Sequence, residues 1–236
     1  MVLFIGPPFG NYIFLPNTVS INGSYTLHHR PGLLSQIWKT LHFSEEYGGW
    51  INKIGLRNPG IDSAIQKYRK NPDEIYSIAI LDNSEIPELL EKVPYTMNIE
   101  LNVSCPNAEK HMVVTGIEQF INPERKWCII KLSPKTDHKL IDNLYKKGFR
   151  QFHCSNTLPV LGGGLSGPRL IPYTNRLINY IKTKYPNTEV IAGGGIQKYD
   201  TLLNYKKLGA NHFAMSTLFF HPILCSKFFY NFYKRN

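Results

Sequence analysis

The stretch WCIIKLSPKTDHKLIDNLYKKGFRQFHCS, residues 127–155, holds an apolar run, an amphipathic segment and a second apolar run, in that order. The runs at 127–132 and 151–155 show little alternation of polar and apolar residues, which is typical of strands covered on both faces. Between them, residues 137–147 place four large side chains on one helical face, and Gly148 follows where a helix would end. The stretch therefore predicts one strand–helix–strand unit of a parallel sheet.

The same pattern recurs along the chain. The predicted strands are VLFI (2–5), TVSI (18–21), IYSIAI (75–80), MNIELNV (97–103), WCIIKL (127–132), QFHCS (151–155), EVIAG (189–193) and HFAMS (212–216). The predicted helices are 62–70, 84–92, 137–147, 172–184, 199–208 and 222–233. With no internal repeat or linker, the pattern predicts a single domain over residues 1–236, folded as a trimmed (β/α)8 TIM-type barrel of the α/β class. The segment 10–18 is too short for the helix that normally follows the first barrel strand.

The composition excludes several classes of protein. An apolar fraction of 42% is enough for a core and does not suit a disordered or fibrous chain. No run approaches the roughly 18 apolar residues of a membrane span, and the apolar start is too short for a signal peptide. The 27 Lys and Arg against 17 Asp and Glu give a net charge of +10, which favours anionic ligands without identifying a site. We expect a cytoplasmic protein that binds no membrane.

The cysteines predict neither a metal site nor a disulfide framework, because no Cys-x-x-Cys pair occurs. Cys128, Cys154 and Cys225 fall in or near strand and helix patterns and are interpreted as core residues. Cys105 differs, because it follows a strand and stands between Asn102 and Asn107. From its neighbours alone, core packing, metal binding, a disulfide and a role as nucleophile or base all remain open.

Polar residues gather at the predicted carboxyl ends of the strands, where (β/α)8 barrels carry their chemistry. A side-chain amide offers both a donor and an acceptor, which matches a ring edge of alternating N–H and C=O groups. One such amide is more often a turn residue. A group of four, with a thiol and Lys131 among them, predicts a site for a polar, uncharged heterocycle; these amides are Asn52, Asn102, Asn107 and Asn156.

Two glycine-rich stretches, LGGGLSGP (161–168) and AGGGI (192–196), precede helices, and Ser216-Thr217 ends the last strand. Either stretch alone is more often a pair of tight turns. Together they suit a phosphate monoester, because backbone N–H groups approach closely where there is no Cβ. Neither stretch fits a Walker or dinucleotide-binding pattern.

The motifs ELNVSCPN (100–107), KLSP, SNT, GGLSGP, AGGGI and NKIGLRNPG (52–60) resemble, in order and spacing, those of the flavin-dependent dihydroorotate dehydrogenases. With PFGN and SYTLHHRPG near the start, the resemblance covers nearly the whole chain. It implies an FMN-binding barrel that oxidises dihydroorotate to orotate in pyrimidine biosynthesis. It also implies a homodimer, with fumarate as a possible oxidant of the flavin.

The resemblance also implies roles for individual residues. Cys105 matches the catalytic base of the soluble branch, which takes a proton from C5 of dihydroorotate while C6 delivers hydride to flavin N5. The residues implied to bind substrate are Asn52, Gly55, Leu56, Asn102, Asn107, Asn156 and Thr157. Those implied to bind FMN are Ser24, Asn102, Lys131, Gly164, Gly167, Gly194, Gly195, Ser216 and Thr217.

The chain departs from the family at a lysine that ends the second strand and touches both flavin and substrate. Gly23 stands at that position. Loss of a charged hydrogen bond costs roughly 1.5–3 kcal/mol, so binding of an anionic substrate should weaken. Lys53 is one candidate to compensate, and His28 or His29 is another. The usual insertion between SNT and GGLSGP is also missing.

Two other functions remain open. A degenerate flavoprotein would bind FMN or a pyrimidine with little turnover, and the missing lysine and short loops favour it. A tRNA dihydrouridine synthase-like enzyme would also use FMN and a cysteine in a barrel, and the charge of +10 would suit RNA. Because the motifs fit the dehydrogenases better and no RNA-binding domain is evident, we expect no nucleic-acid partner.

Overall fold

The computed structural model describes residues 1–103 and 113–235. Its strands are, in chain order, β1 (Leu3–Ile5), β2 (Thr18–Tyr25), β3 (His42–Ser44), β4 (Gly49–Asn52), β5 (Ile75–Ile78), β6 (Ile99–Asn102), β7 (Cys128–Leu132), β8 (Gln151–Cys154), β9 (Leu158–Val160), β10 (Gly163–Ser166), β11 (Glu189–Gly193) and β12 (His212–Met215). Eight of them close into a barrel of order β1-β12-β11-β8-β7-β6-β5-β2, and every pair in it is parallel.

The α-helices of the described chain are α1 (Leu33–Thr40), α2 (Ile61–Tyr68), α3 (Ile86–Lys92), α4 (His138–Lys146), α5 (Ile171–Lys184), α6 (Tyr199–Lys207) and α7 (Pro222–Arg235). Single 3-10 turns lie at Phe9–Asn11, Asn83–Glu85, Ile117–Phe120, Pro168–Leu170 and Thr217–Phe220. None of these helices combines the length and apolarity needed to span a membrane.

The predicted barrel is confirmed. Each of the eight apolar runs forms a barrel strand, and each of the six predicted helices forms near its expected bounds. In the starting stretch, Asp137 caps α4 by accepting a hydrogen bond from the backbone N–H of Lys139 at 3.1 Å. Ile141 and Leu144 of that helix are fully buried, as their spacing predicts.

The core has two layers. One cluster of buried side chains packs the helices onto the outside of the barrel. A separate cluster contains alternate strand residues, which point to the opposite face and fill the barrel interior: Phe4, Ile21, Ile75, Trp127, Ile129, Ile191 and Ala214. Cys154 is buried in the outer cluster, and Cys128 and Cys225 pack against it, as predicted.

Two features were not predicted. Helix α1 has no buried residue, and Leu34 and Trp38 are 81% and 91% exposed, so its apolar spacing does not mark a core helix. A second, antiparallel sheet of order β3-β4-β10-β9 lies beside the barrel. Strand β10 contains Gly163 and Gly164 of the glycine-rich stretch LGGGLSGP. A Cβ on Gly163 would lie 2.2 Å from the carbonyl oxygen of Asn52, so glycine is what allows β10 to approach β4.

The link between β1 and β2 holds only the turn Phe9–Asn11, as its length predicts. We expect Gly10→Ala to destabilise the protein by about 1–3 kcal/mol or more, the range for overpacking. A Cβ there would lie 2.4 Å from the carbonyl oxygen of Ile5 and 2.3 Å from that of Ile21. Urea unfolding checks this. Gly6→Ala is the control, because its Cβ would make only an ordinary 3.5 Å contact with Met215. Equal free energies of unfolding for the Gly10→Ala and Gly6→Ala variants would show that the link has room for a side chain at position 10.

Candidate active site

The carboxyl ends of the barrel strands open into two adjoining cavities of about 110 and 560 Å³. Residues that directly follow or end β1, β7, β8 and β12 line both; they include Pro7, Lys131, Asn156, Thr157, Ser216 and Thr217. The cavities therefore lie where the sequence predicts the chemistry, and a ligand with two parts could occupy both of them.

The smaller cavity is walled by bare backbone. Gly167, Gly194 and Gly195 line it together with Ser216 and Thr217. Gly194 and Gly195 have φ of +81° and +77°, and Cβ atoms there would meet Leu170 and Ile171 at 2.9 and 2.6 Å. Because no side chain fits, the loop packs directly on the start of α5, and its peptide groups are free to approach an anion.

Ser216 and Gly164, two residues predicted to bind the cofactor, differ in their position relative to the cavities. The Ser216 hydroxyl donates a hydrogen bond of 2.8 Å to the carbonyl oxygen of Pro7 in the loop after β1, so its orientation is fixed and it retains its acceptor capacity. Gly164 lies in β10, paired with Asn52, and lines neither cavity. Its contact with a cofactor stays a prediction.

The larger cavity contains a chain of hydrogen bonds between predicted ligand-binding residues. Asn156 donates to Asn102 at 3.0 Å, and Asn102 donates to the Ser24 hydroxyl at 2.9 Å. The side-chain Oδ1 of Asn156 accepts from the backbone N–H of Thr157 at 2.8 Å. These bonds fix both amides in one orientation at the ends of β6 and β8, which is the preorganisation that a binding site needs.

The second sheet and the loop after β4 contribute further residues that were predicted to bind substrate. Asn52 ends β4 and lines the larger cavity, as do Gly55 and Leu56 in the loop that follows. Gly55 is held by a hydrogen bond of 3.2 Å from Arg30 to its carbonyl oxygen. Cys105 and Asn107 lie outside the described residues, so their roles stay predictions.

A charged network underlies the amides. Glu100 on β6 is fully buried. Its carboxylate accepts hydrogen bonds from Lys131 Nζ at 3.2 Å, His153 Nδ1 at 2.6 Å and the Ser77 hydroxyl at 2.9 Å. Burial alone would raise the pKa of Glu100, but Lys131, His153 and Ser77 outweigh it and hold the pKa at about 2. Burial lowers the pKa of His153 despite Glu100, so at neutral pH the ring is neutral and donates through Nδ1.

Sequence reasoning found Lys131 but missed its partners. Glu100 and His153 interrupt otherwise apolar strands, and that interruption is the signal that marks a buried polar network. His153 also depends on Gly193, because a Cβ at that position would lie 2.6 Å from its Nε2.

Several positively charged side chains line the larger cavity. Among the residues that the structure describes, the Nε atoms of Arg30 and Arg57 and the indole N–H of Trp50 are buried without a hydrogen-bond partner, and all three residues line this cavity. Lys67 lines it as well. The positive charge gathered at this cavity indicates a ligand rich in acceptors or negative charge. Within residues 1–103 and 113–235, no three His, Cys, Asp or Glu side chains are grouped to hold a metal ion.

Fold and site together define a (β/α)8 barrel with a polar ligand site at the carboxyl ends of its strands. The family model of dihydroorotate dehydrogenase matches residues 19–229. The chain belongs to the dihydroorotate dehydrogenase family.

Named relatives agree with this membership. The chain is 29% identical to the catalytic subunit of dihydroorotate dehydrogenase B (NAD(+)) of Petrotoga mobilis, over 80% of this chain and 74% of the relative. It is 27% identical to the same subunit of Staphylococcus carnosus, over 80% and 72%. The ligand-free DHODH of Eimeria tenella superposes with a TM-score of 0.70 at 16% identity, over 95% of this chain and 81% of that one. That superposition supports the fold alone.

The charged network predicts loss of stability in acid. The pKa of His153 is lower in the folded state than the ordinary 6.5, so its contribution is present above pH 6.5 and is lost as the pH falls below it. The contribution of Glu100 is lost further down, between about pH 4.5 and 2. Each group changes the free energy of unfolding by at most about 1.4 kcal/mol per pH unit.

Urea unfolding from pH 7.5 to 5 checks this expectation. His153→Gln keeps a donor toward Glu100 but does not titrate, so its free energy of unfolding should fall less steeply below pH 6.5 than that of the unaltered protein. Parallel pH profiles for the two proteins would show that His153 is not the acid-sensitive group.

Proposed function

We propose that the protein oxidises dihydroorotate to orotate, with FMN as hydride acceptor and Cys105 as base. One observation carries the proposal: Asn52, Asn102, Asn156 and Lys131 converge on one cavity, which opens into a second cavity walled by glycine backbone. The first suits a polar ring and the second suits a phosphate. Family membership supports the same reaction.

The residues present fit FMN. The glycine-walled cavity would take the phosphate on the peptide groups near Gly167, Gly194 and Gly195, with Ser216 and Thr217 beside it. Lys131, which lines both cavities, would lie between phosphate and ring, and Ser24 and Asn102 would contact the ring system. When bound, FMN supplies the two-electron acceptor that no side chain provides.

The substrate would occupy the larger cavity. Dihydroorotate carries ring N–H and C=O groups and a carboxylate. The amides of Asn52, Asn102 and Asn156 match the ring edge, and Asn107 would complete the set. The loop of Gly55 and Leu56 and the residue Thr157 would contact it, and the positively charged side chains that line this cavity would attract the carboxylate.

A thiol is suited to the base only if part of it is ionised near neutral pH. Burial raises the pKa of Cys128 to about 11 and also raises the pKa of Cys154, so neither suits the role. Cys105 follows Asn102 by three residues in ELNVSCPN, and the resemblance of that motif is what supports its assignment. Its proton transfer from C5 would accompany departure of hydride from C6, leaving the C5–C6 double bond of orotate.

The alternative of a degenerate flavoprotein is supported by one specific observation, the glycine at position 23.

The oxidant of the flavin and the assembly of the protein are part of the proposal as well. Fumarate and a homodimer were expected from the resemblance, whereas the relatives are named NAD(+) enzymes and catalytic subunits. Those names favour NAD(+) as the final acceptor for this chain, reached through a second subunit.

Stopped-flow reduction of the FMN-loaded protein by dihydroorotate tests the base. We expect Cys105→Ser to slow flavin reduction at pH 7 at least tenfold, because a serine hydroxyl is far less ionised than a thiol. Positioned bases contribute about 10²–10⁴-fold in rate. Flavin content should be unchanged.

Cys154→Ser is the matched control, since that thiol is buried in the outer core and lines neither cavity. Its reduction rate should equal that of the unaltered protein. Equal rates for Cys105→Ser and the unaltered protein would rule out Cys105 as the base.

A further inference from the structure

Position 23 has no room for the lysine that the family carries there. Gly23 has a φ of +107°, and a Cβ on it would lie 2.7 Å from the Ser77 carbonyl oxygen and 2.7 Å from the Tyr25 ring. The chain has therefore lost more than a side chain, because the backbone is now set for glycine alone. Any replacement cation must reach this part of the cavity from another element.

Lys67 of α2 reaches it. Its Nζ lies 3.5 Å from the side-chain oxygen of Asn11, and the backbone N–H of Gly23 lies 3.3 Å from the same oxygen. Lys67, Asn11, Gly23 and Ser24 all line the larger cavity. The ammonium group of Lys67 and the backbone of Gly23 thus share one hydrogen-bond acceptor beside the amide chain.

We propose that Lys67 replaces the missing strand-two lysine and supplies the positive charge that binds the anionic substrate beside the flavin. This inference rests on the proposed function. It assigns a residue of α2 that lies outside every motif carrying the family resemblance. Its role follows from the contact with Asn11 and not from sequence alignment.

Lys67 is available for such a ligand. In the described part of the chain it forms no ion pair, and its bond to Asn11 is long. Glu74, the nearby carboxylate, accepts a hydrogen bond of 2.6 Å from Asn22. Burial lowers the pKa of Lys67, with Glu74 opposing, so the cation is incompletely stabilised by the protein and would gain from a bound anion.

The other candidates suit the role less well. Lys53, expected as a possible substitute, is exposed and lines neither cavity, and the same holds for His28. His29 lines the larger cavity but is an exposed residue at its rim. Lys131 is paired with Glu100, and Arg30 donates to Gly55. Lys67 is the cation that contacts the group next to Gly23.

Equilibrium dialysis of FMN-loaded protein with orotate tests the proposal without turnover. We expect Lys67→Met to weaken orotate binding by about tenfold to a hundredfold, the loss of one charged hydrogen bond. Lys67→Arg should recover most of the affinity, because it restores the charge. Lys53→Met is the matched control, a loss of the same charge from an exposed position, and should stay within twofold of the unaltered protein.

The outcomes separate the two proposals. Unaltered protein that binds FMN and orotate, with Lys67→Met within twofold of it, would overturn the role of Lys67 and leave the proposed function standing. Loss of affinity in Lys53→Met instead would also overturn it. Unaltered protein that binds no FMN or no orotate would overturn the proposed function and this inference together. Thermal unfolding of each variant verifies that it is folded. If Lys67→Met is not folded, Lys67→Gln takes its place, because it also removes the charge.

Discussion

The buried carboxylate of Glu100 is the interaction on which the site depends. Its partners come from the strands beside and beyond it: Ser77 on β5, Lys131 on β7 and His153 on β8. Four neighbouring barrel strands are thereby tied together at the level of the cavity floor. A buried charge is tolerated only when such partners satisfy it, and removing one partner typically costs 3–5 kcal/mol. The network therefore constrains which residues these strands can carry.

The side-chain amides of the site are held in place by hydrogen bonds that connect them to this network. Ser77 contacts the Ser24 hydroxyl at 2.9 Å, and Ser24 accepts from Asn102, which accepts from Asn156. A single path of hydrogen bonds thus runs from the buried carboxylate to the side chains that face the ligand. Asn52 reaches the same cavity by a different route, on the antiparallel sheet, where Gly163 lets β10 pack against β4.

The sequence predicts the features that depend on residues close together in the chain, and it misses those that depend on contacts between distant segments. Strands and helices are marked by local spacing, and β7, α4 and β8 were found for that reason. Helix α1 and the second sheet were missed, because α1 buries no side chain and the short strands β3, β9 and β10 carry no long apolar run. Among the residues predicted from motifs, Asn52, Asn102, Asn156 and Lys131 line the larger cavity, and their roles stay predictions. Glu100, His153 and Lys67 were not predicted, since their roles come from contacts between segments distant in the chain.

The most direct test of the account is an anaerobic titration of the purified, FMN-loaded protein with dihydroorotate, followed by the visible flavin spectrum and by assay of orotate. The account predicts that the flavin band bleaches and that one orotate forms per flavin reduced. A protein that holds FMN but keeps its flavin band at saturating dihydroorotate, with no orotate formed, would contradict it.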